Sequence, residues 1–383
     1  MQIARIAISG KKVTNKCQKS GILCHIDRFD TYRYGEIMAK KNQKAVPGAL
    51  EEHPLASFDL GNAGAKIKTI SIAEEFRSIA GRLSRNRAFG DIKSPLVFTF
   101  DDETLVFGDE ARDLIDGEPI AFTDMSRYTT GFYRKLFAAA LWRSFRHIAT
   151  EGIVYPTIAC SIPVSEYADG KADDVKKNIQ GTYEIHGLDG ITLHAEIQPT
   201  NVIIIPEGAG SYFQALYAPG SGLASREVAI IDIGFYTTDL TIWNKGNYVT
   251  GSARSAKHGV RQVATAVYQF LRLKYAYEGD LWAVDSALDA GCIDVGNKCR
   301  GFAEERDNAY ADLLNDVFAF YRSSKGSRTP GAVIISGGGA QGVYKFLPDN
   351  LRDEGWRVIT NARRANADGG FLFLTQREAA KVK

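Results

Sequence analysis

The chain has 383 residues, 45% hydrophobic and 24% charged, a globular composition that excludes collagen-like, coiled-coil and wholly disordered chains. Its 47 Lys and Arg against 45 Asp and Glu leave a net charge of +2, too balanced for bulk nucleic-acid binding. No apolar run approaches the ~20 residues a bilayer needs, and the N-terminus lacks a signal-peptide apolar region. The length suits about two domains. Five cysteines give no disulfide framework or metal-ligand spacing, so they read as buried or incidental thiols in a reducing cytoplasm.

Residues 1–54 carry a charge of +5 and the remainder −3. This aperiodic segment ends in Val46-Pro47-Gly48 and reads as a disordered basic leader, with Met38 as an alternative start near the fold. Alternating strands and helices are expected from residue 55. Phe58 to Ile72 reads as two strands around Gly61-Asn62-Ala63-Gly64, and Leu96–Phe100 with Thr104–Phe107 as a second hairpin. Phe132 to Ala149 has helical spacing. Thr157–Ile162 and Val202–Ile205 suit buried strands, followed by a helix at Ser211–Tyr217. Val228–Ile233 and Asp239–Trp243 form another strand pair. Helices are expected at Val260–Tyr275 and Ala309–Tyr321, then a buried strand Val333–Ile335 running into Gly337-Gly338-Gly339.

One device occurs twice. Asp59-Leu60-Gly61-Asn62-Ala63-Gly64-Ala65-Lys66 and Asp232-Ile233-Gly234-Phe235-Tyr236-Thr237-Thr238-Asp239 each place an Asp at a strand end, with Gly two residues on. Such a turn points backbone N–H groups into a concavity that suits phosphate oxygens. Lys66 adds a point charge, and the two Asp carboxylates suit a hydrated Mg²⁺. Singly, each turn reads first as a plain β-hairpin; two with an Asp on each are harder to dismiss. Gly337–Gly339 alone is a tight strand-to-helix turn, or a loop against which a nucleotide lies. Neither a Walker A nor a dinucleotide-binding pattern is present.

Together these elements resemble the actin-fold ATPase superfamily. The first phosphate loop is Asp59–Lys66, and the second is Asp232–Asp239. Pro206-Glu207-Gly208-Ala209-Gly210 and Asn366-Ala367-Asp368-Gly369-Gly370 resemble its two connecting elements, and Gly337–Gly339 its adenosine loop. Phe107-Gly108-Asp109-Glu110-Ala111, Ser161-Ile162-Pro163-Val164 and Asn366-Ala367-Asp368-Gly369 look like motifs of ParM-type plasmid-segregation actins. Ser161 stands where Gly is usual, and bulky Phe235-Tyr236 where smaller residues are common.

The resemblance implies an α/β fold of two actin-like (RNase H-like) domains facing each other across a nucleotide cleft. Domain I would span 55–206 plus a C-terminal helix at 365–383, and domain II 207–364. It further implies ATP (or GTP) with Mg²⁺ held by Asp59 and Asp232, and a water oriented by Glu207. Gly61, Asn62, Ala63, Lys66, Gly234, Thr237, Thr238, Asp239, Gly337, Gly338 and Gly339 would contact the nucleotide. Arg261 and Glu304-Glu305 sit where the family contacts ribose and base, although a solvated helix face is the simpler reading of each. His258 reads as a capping or packing residue. The implied activity is a cytoplasmic filament-forming ATPase for DNA segregation, with itself and a DNA-binding adaptor as partners and no membrane insertion. A non-polymerising small-molecule kinase and a chaperone or cell-division ATPase are the alternatives.

Overall fold

The computed structural model describes residues 53–84, 96–117, 120–121, 127–149 and 152–381. The basic leader, with Cys17, Cys24 and His25, lies outside them but for its last two residues.

Two sheets share one topology. The first contains β1 (Leu55–Leu60), β2 (Gly64–Lys68), β3 (Ala73–Arg77), β4 (Thr157–Ile162) and β5 (Val202–Pro206), in the order β5-β4-β1-β2-β3. The antiparallel β1-β2-β3 meander is flanked by β4 and β5, which run parallel to β1. The second contains β6 (Glu227–Ile233), β7 (Thr238–Asn244), β8 (Asn247–Tyr248), β9 (Ala332–Ser336) and β10 (Trp356–Val358), in the order β10-β9-β6-β7-β8, with a short sixth strand, Arg254–Ala256, also paired to β7. Again a meander is flanked by two parallel strands. The apolar runs of β4, β6 and β9 are buried on both faces, as the central strands of a helix-covered sheet must be.

Each sheet has its own apolar core. Helix α1 (Gly131–Phe145) packs on the first. Its apolar residues do not keep to one stripe: Leu136 through Trp142 are all fully buried. The reason is a second layer: α1 also contacts the strand Gly181–Gly187 of a seven-stranded sheet that extends domain I. That sheet ends in two-residue strands at both edges, Ile120–Ala121 and Ile153–Val154. Helices α2 (Ala209–Tyr217), α3 (Val260–Tyr275), α4 (Leu281–Ala287) and α5 (Ala303–Ser324) follow, and α6 (Ala365–Lys381) closes the fold. In α3, Val260, Val263, Ala264, Val267 and Leu271 make the buried stripe that the spacing predicted.

The cysteine expectation is corrected. Cys292 and Cys299 are joined as a disulfide, with Cα atoms 6.0 Å apart, across a hairpin of Cys292–Val295 and Lys298–Gly301. The tight turn brings together two residues whose sequence spacing suggested no partner. Cys160 is a buried thiol outside any disulfide, as expected, with its Sγ 3.1 Å from the Tyr133 hydroxyl.

Helices α2 and α6 cross at glycines. A Cβ on Gly210 would collide with the Asn366 backbone, and one on Gly369 with the Gly210 carbonyl. The backbones are therefore in direct contact, and α6 also lies against β1 and β4. Gly369→Val should force the helices apart and cost about 1–3 kcal/mol or more. Urea denaturation checks this, and an unchanged midpoint at unchanged m-value would refute it.

Candidate nucleotide site

The β1–β2 and β6–β7 hairpins meet at a cavity between the two domains. Its lining includes Asp59, Gly61, Asn62, Ala63 and Lys66 from the first hairpin and Asp232, Gly234, Phe235, Tyr236 and Thr237 from the second. Glu207, Gly337, Gly338 and Asn366 join them. Sequence reading thus gathered most of this wall. Thr238, Asp239 and Gly339 stand behind it instead. The Thr238 hydroxyl donates to the His258 carbonyl at 2.9 Å, and the Gly339 N–H to the Ile233 carbonyl at 3.0 Å. Asp239 accepts from the Thr237 hydroxyl at 3.1 Å. Arg261 lines a second cavity, of about 530 Å³, which shares Asn62, Tyr236 and Thr237 with the first. Glu304 and Glu305 line neither.

The two hairpins differ in charge at equivalent register. Asp59 pairs across the strands with Lys66, and their side chains form a 3.4 Å ion pair. Asp232 faces Asp239, a like-charge neighbour that disfavours ionisation of Asp232. Burial first, then the charges of Asp59 and Asp239, push the Asp232 carboxyl up to about 7, against the Asn366 hydrogen bond and the Lys66 charge. The donor set therefore has a carboxylate excess that suits a divalent cation. Among the described residues no group of three or more His, Cys, Asp and Glu side chains is arranged to hold a metal. A Mg²⁺ that keeps several waters and uses one or two carboxylates fits such a site.

Asn366 is the residue whose role the sequence did not reveal. Its Nδ2 donates to Asp232 Oδ2 at 2.6 Å. Its Oδ1 accepts from the Gly208 N–H at 2.9 Å and the Ser211 hydroxyl at 3.2 Å. One buried amide thus joins α6, the start of α2 and the end of β6. Ser161, the departure from the usual Gly, donates to Asp59 Oδ1 at 3.0 Å and orients that carboxylate.

Glu207 lies between β5 and α2, and its N–H donates to the Ile162 carbonyl at 2.7 Å. Gly208, with φ of 85°, is the N-cap of α2, so Glu207 precedes the first helical turn. Its carboxylate therefore sits at the positive end of the α2 dipole, and a helix-terminus role remains open beside a catalytic one. Gly337, at φ of +86°, turns the β9 end across Asp232; a Cβ there would collide with the Asp232 carboxylate. Nothing lies within 4 Å of a Cβ placed on Gly338, which faces open space.

Residues 57–210 match the family model described as actin like proteins, N terminal domain. No curated protein gives a significant sequence match. Several solved structures share the fold. An archaeal actin homologue in complex with ADP is 20% identical, with TM-score 0.68, covering 86% of this chain and 100% of its own. A ParM from a 15-stranded Clostridium botulinum filament is 16% identical, with TM-score 0.67 and coverages of 85% and 99%. Bacillus thuringiensis ParM with ATP is 14% identical, with TM-score 0.65 and coverages of 86% and 100%. The two-domain α/β architecture of this chain is the actin-like fold.

The raised pKa of Asp232 has a definite consequence for stability. The folded chain holds this proton between pH ~4 and ~7 while the unfolded chain has released it, so ligand-free stability falls as pH rises through that window. Asp232→Asn removes that loss. It should raise the melting temperature at pH 8 by several degrees and flatten the pH 5–8 profile. Parallel profiles for the two proteins would refute the assignment.

Proposed function

We propose that this actin-fold chain of ParM-like architecture binds ATP between its two hairpins, hydrolyses it, and polymerises in its nucleotide-bound state. The supporting observation is the convergence of both hairpins, Glu207 and the Gly337-Gly338 loop on one interdomain cavity. Backbone N–H groups of the two turns and the Lys66 ammonium would bind phosphate oxygens. The Gly338 face leaves room for the nucleoside. Asp59 and Asp232 would hold the hydrated Mg²⁺, which supplies charge neutralisation to the triphosphate.

Hydrolysis requires a water held in line with the terminal phosphate and little covalent work from the protein. Glu207, which lines the cavity from the connection between β5 and α2, would hold that water and accept its proton. Asn366 keeps the Asp232 carboxylate pointed into the cleft. Self-association is the partner reading, because a structural relative forms a filament. DNA segregation through a DNA-binding adaptor is the cellular role that fits it. No helix among the described residues is long and apolar enough to cross a membrane.

Pelleting and phosphate release with Mg-ATP test this reading. A protein that neither sediments with ATP nor releases phosphate would refute it, while phosphate transfer to a small acceptor without sedimentation would favour a kinase. Glu207→Ala should retain ATP binding, cut hydrolysis ~10²-fold and leave filaments long-lived. A variant that melts lower yet releases phosphate normally would remove Glu207 from the chemistry. Asp59→Ala should weaken Mg-ATP binding about tenfold or more in calorimetric titration.

A further inference from the structure

The cavity between the hairpins holds about 100 Å³, under the ~300–1,000 Å³ of small-molecule pockets, and it adjoins the larger cavity at Asn62, Tyr236 and Thr237, so the spacing of its walls bears on how a nucleotide enters. What keeps them together is a set of ion pairs between the domains. Arg77, at the end of β3, donates to Asp285 at 2.5 Å and to the Ser286 hydroxyl at 2.6 Å, both on α4. Its side chain is 9% exposed and that of Asp285 is 10% exposed, so solvent screens this pair weakly. Arg112 reaches Asp280, the N-cap of α4, at 2.9 Å. Arg363, after β10, reaches Glu75 on β3 at 2.7 Å. Asp285, Glu75 and Arg363 themselves line the cavity.

The same helix touches the second hairpin. The ring of Phe235 stacks on Trp282 of α4 with centroids 4.7 Å apart, and the Arg77 guanidinium lies 6.0 Å from the Trp282 ring. The bulky residue in the second phosphate loop therefore has a structural use. It fixes the hairpin to the helix that fastens domain II to domain I.

We propose that α4 and β3 form a clasp that gates the cavity, and that the Phe235–Trp282 stack couples this clasp to the second hairpin. Opening breaks the Arg77–Asp285 pair and frees the hairpin together. Phe235 and Trp282 are positioning residues, and Arg77 and Asp285 set the rate at which the cleft opens. The gating role rests on the nucleotide reading above; the clasp itself does not.

The test has two arms. In stopped flow, a fluorescent ATP analogue should leave Arg77→Ala and Asp285→Ala at least about tenfold faster than wild type. The double variant should be no faster than either single one, because both remove the same contact. Phe235→Leu should also speed release, while Phe235→Tyr, which keeps the stacked ring, should not. In small-angle X-ray scattering without ligand, Arg77→Ala should show a larger radius of gyration than wild type. If Arg77→Ala fails to fold, the charge exchange Arg77→Asp with Asp285→Arg should restore the compact form and slow release. Release rates within twofold of wild type in both single variants, or coincident scattering curves, overturn the clasp. Failure of the wild type to bind the analogue, with scattering still responsive to Arg77→Ala, overturns the nucleotide reading and leaves the clasp standing.

Discussion

A single buried amide carries the geometry of the cleft. Asn366 satisfies the N–H of Gly208, the hydroxyl of Ser211 and the carboxylate of Asp232 at once. Those groups belong to α2 and to the strand that carries the second hairpin, and Asn366 reaches them from α6. Each would cost about 1–3 kcal/mol if buried without a partner. The arrangement exists only because Gly210 and Gly369 let the α2 and α6 backbones touch, which brings the amide within reach. Packing thus fixes the pivot, and hydrogen bonding fixes the direction in which the acidic group faces.

That acidic group is held at a cost to the ligand-free fold. The first hairpin neutralises its Asp59 with Lys66, whereas the second sets Asp232 opposite Asp239 in the equivalent register. Two hairpins of one topology are thus electrostatically unequal, one carrying a paired acid and the other a like-charge pair. Function placed in a site of this kind works against stability, and the cores on either side must supply the difference.

Much of this was legible in the sequence, for physical reasons that can be named. The Asp-x-Gly turns are local: strand, turn and strand are contiguous, so β1–β2 and β6–β7 follow from pattern and turn chemistry. α3 was legible from its spacing because it has one solvent face. α1 was placed by its spacing, but its burial on all sides was not legible, since the second sheet that covers it is assembled from distant segments. The strands Gly181–Gly187 and Thr192–Ile197, with their interspersed charged and polar residues, escaped notice, as did the short helix α4. Asn366 and Arg77 were beyond reach for the same reason. Their partners lie 134 and 208 positions away, and nothing in local composition records such a contact.

The short edges of the seven-stranded sheet bear on how copies of the chain can meet. Two residues at each margin, Ile120–Ala121 and Ile153–Val154, offer too little exposed backbone to template another chain's strand. Side-by-side extension of this sheet into a cross-β aggregate is thereby blunted, although Ile120 and Ile153 are themselves exposed. On the described part of this sheet, association is left to side-chain surfaces, whose complementarity can be tuned residue by residue. An assembly built through those surfaces would dissolve and re-form without any strand changing its neighbours, and it would leave amyloid dyes dark.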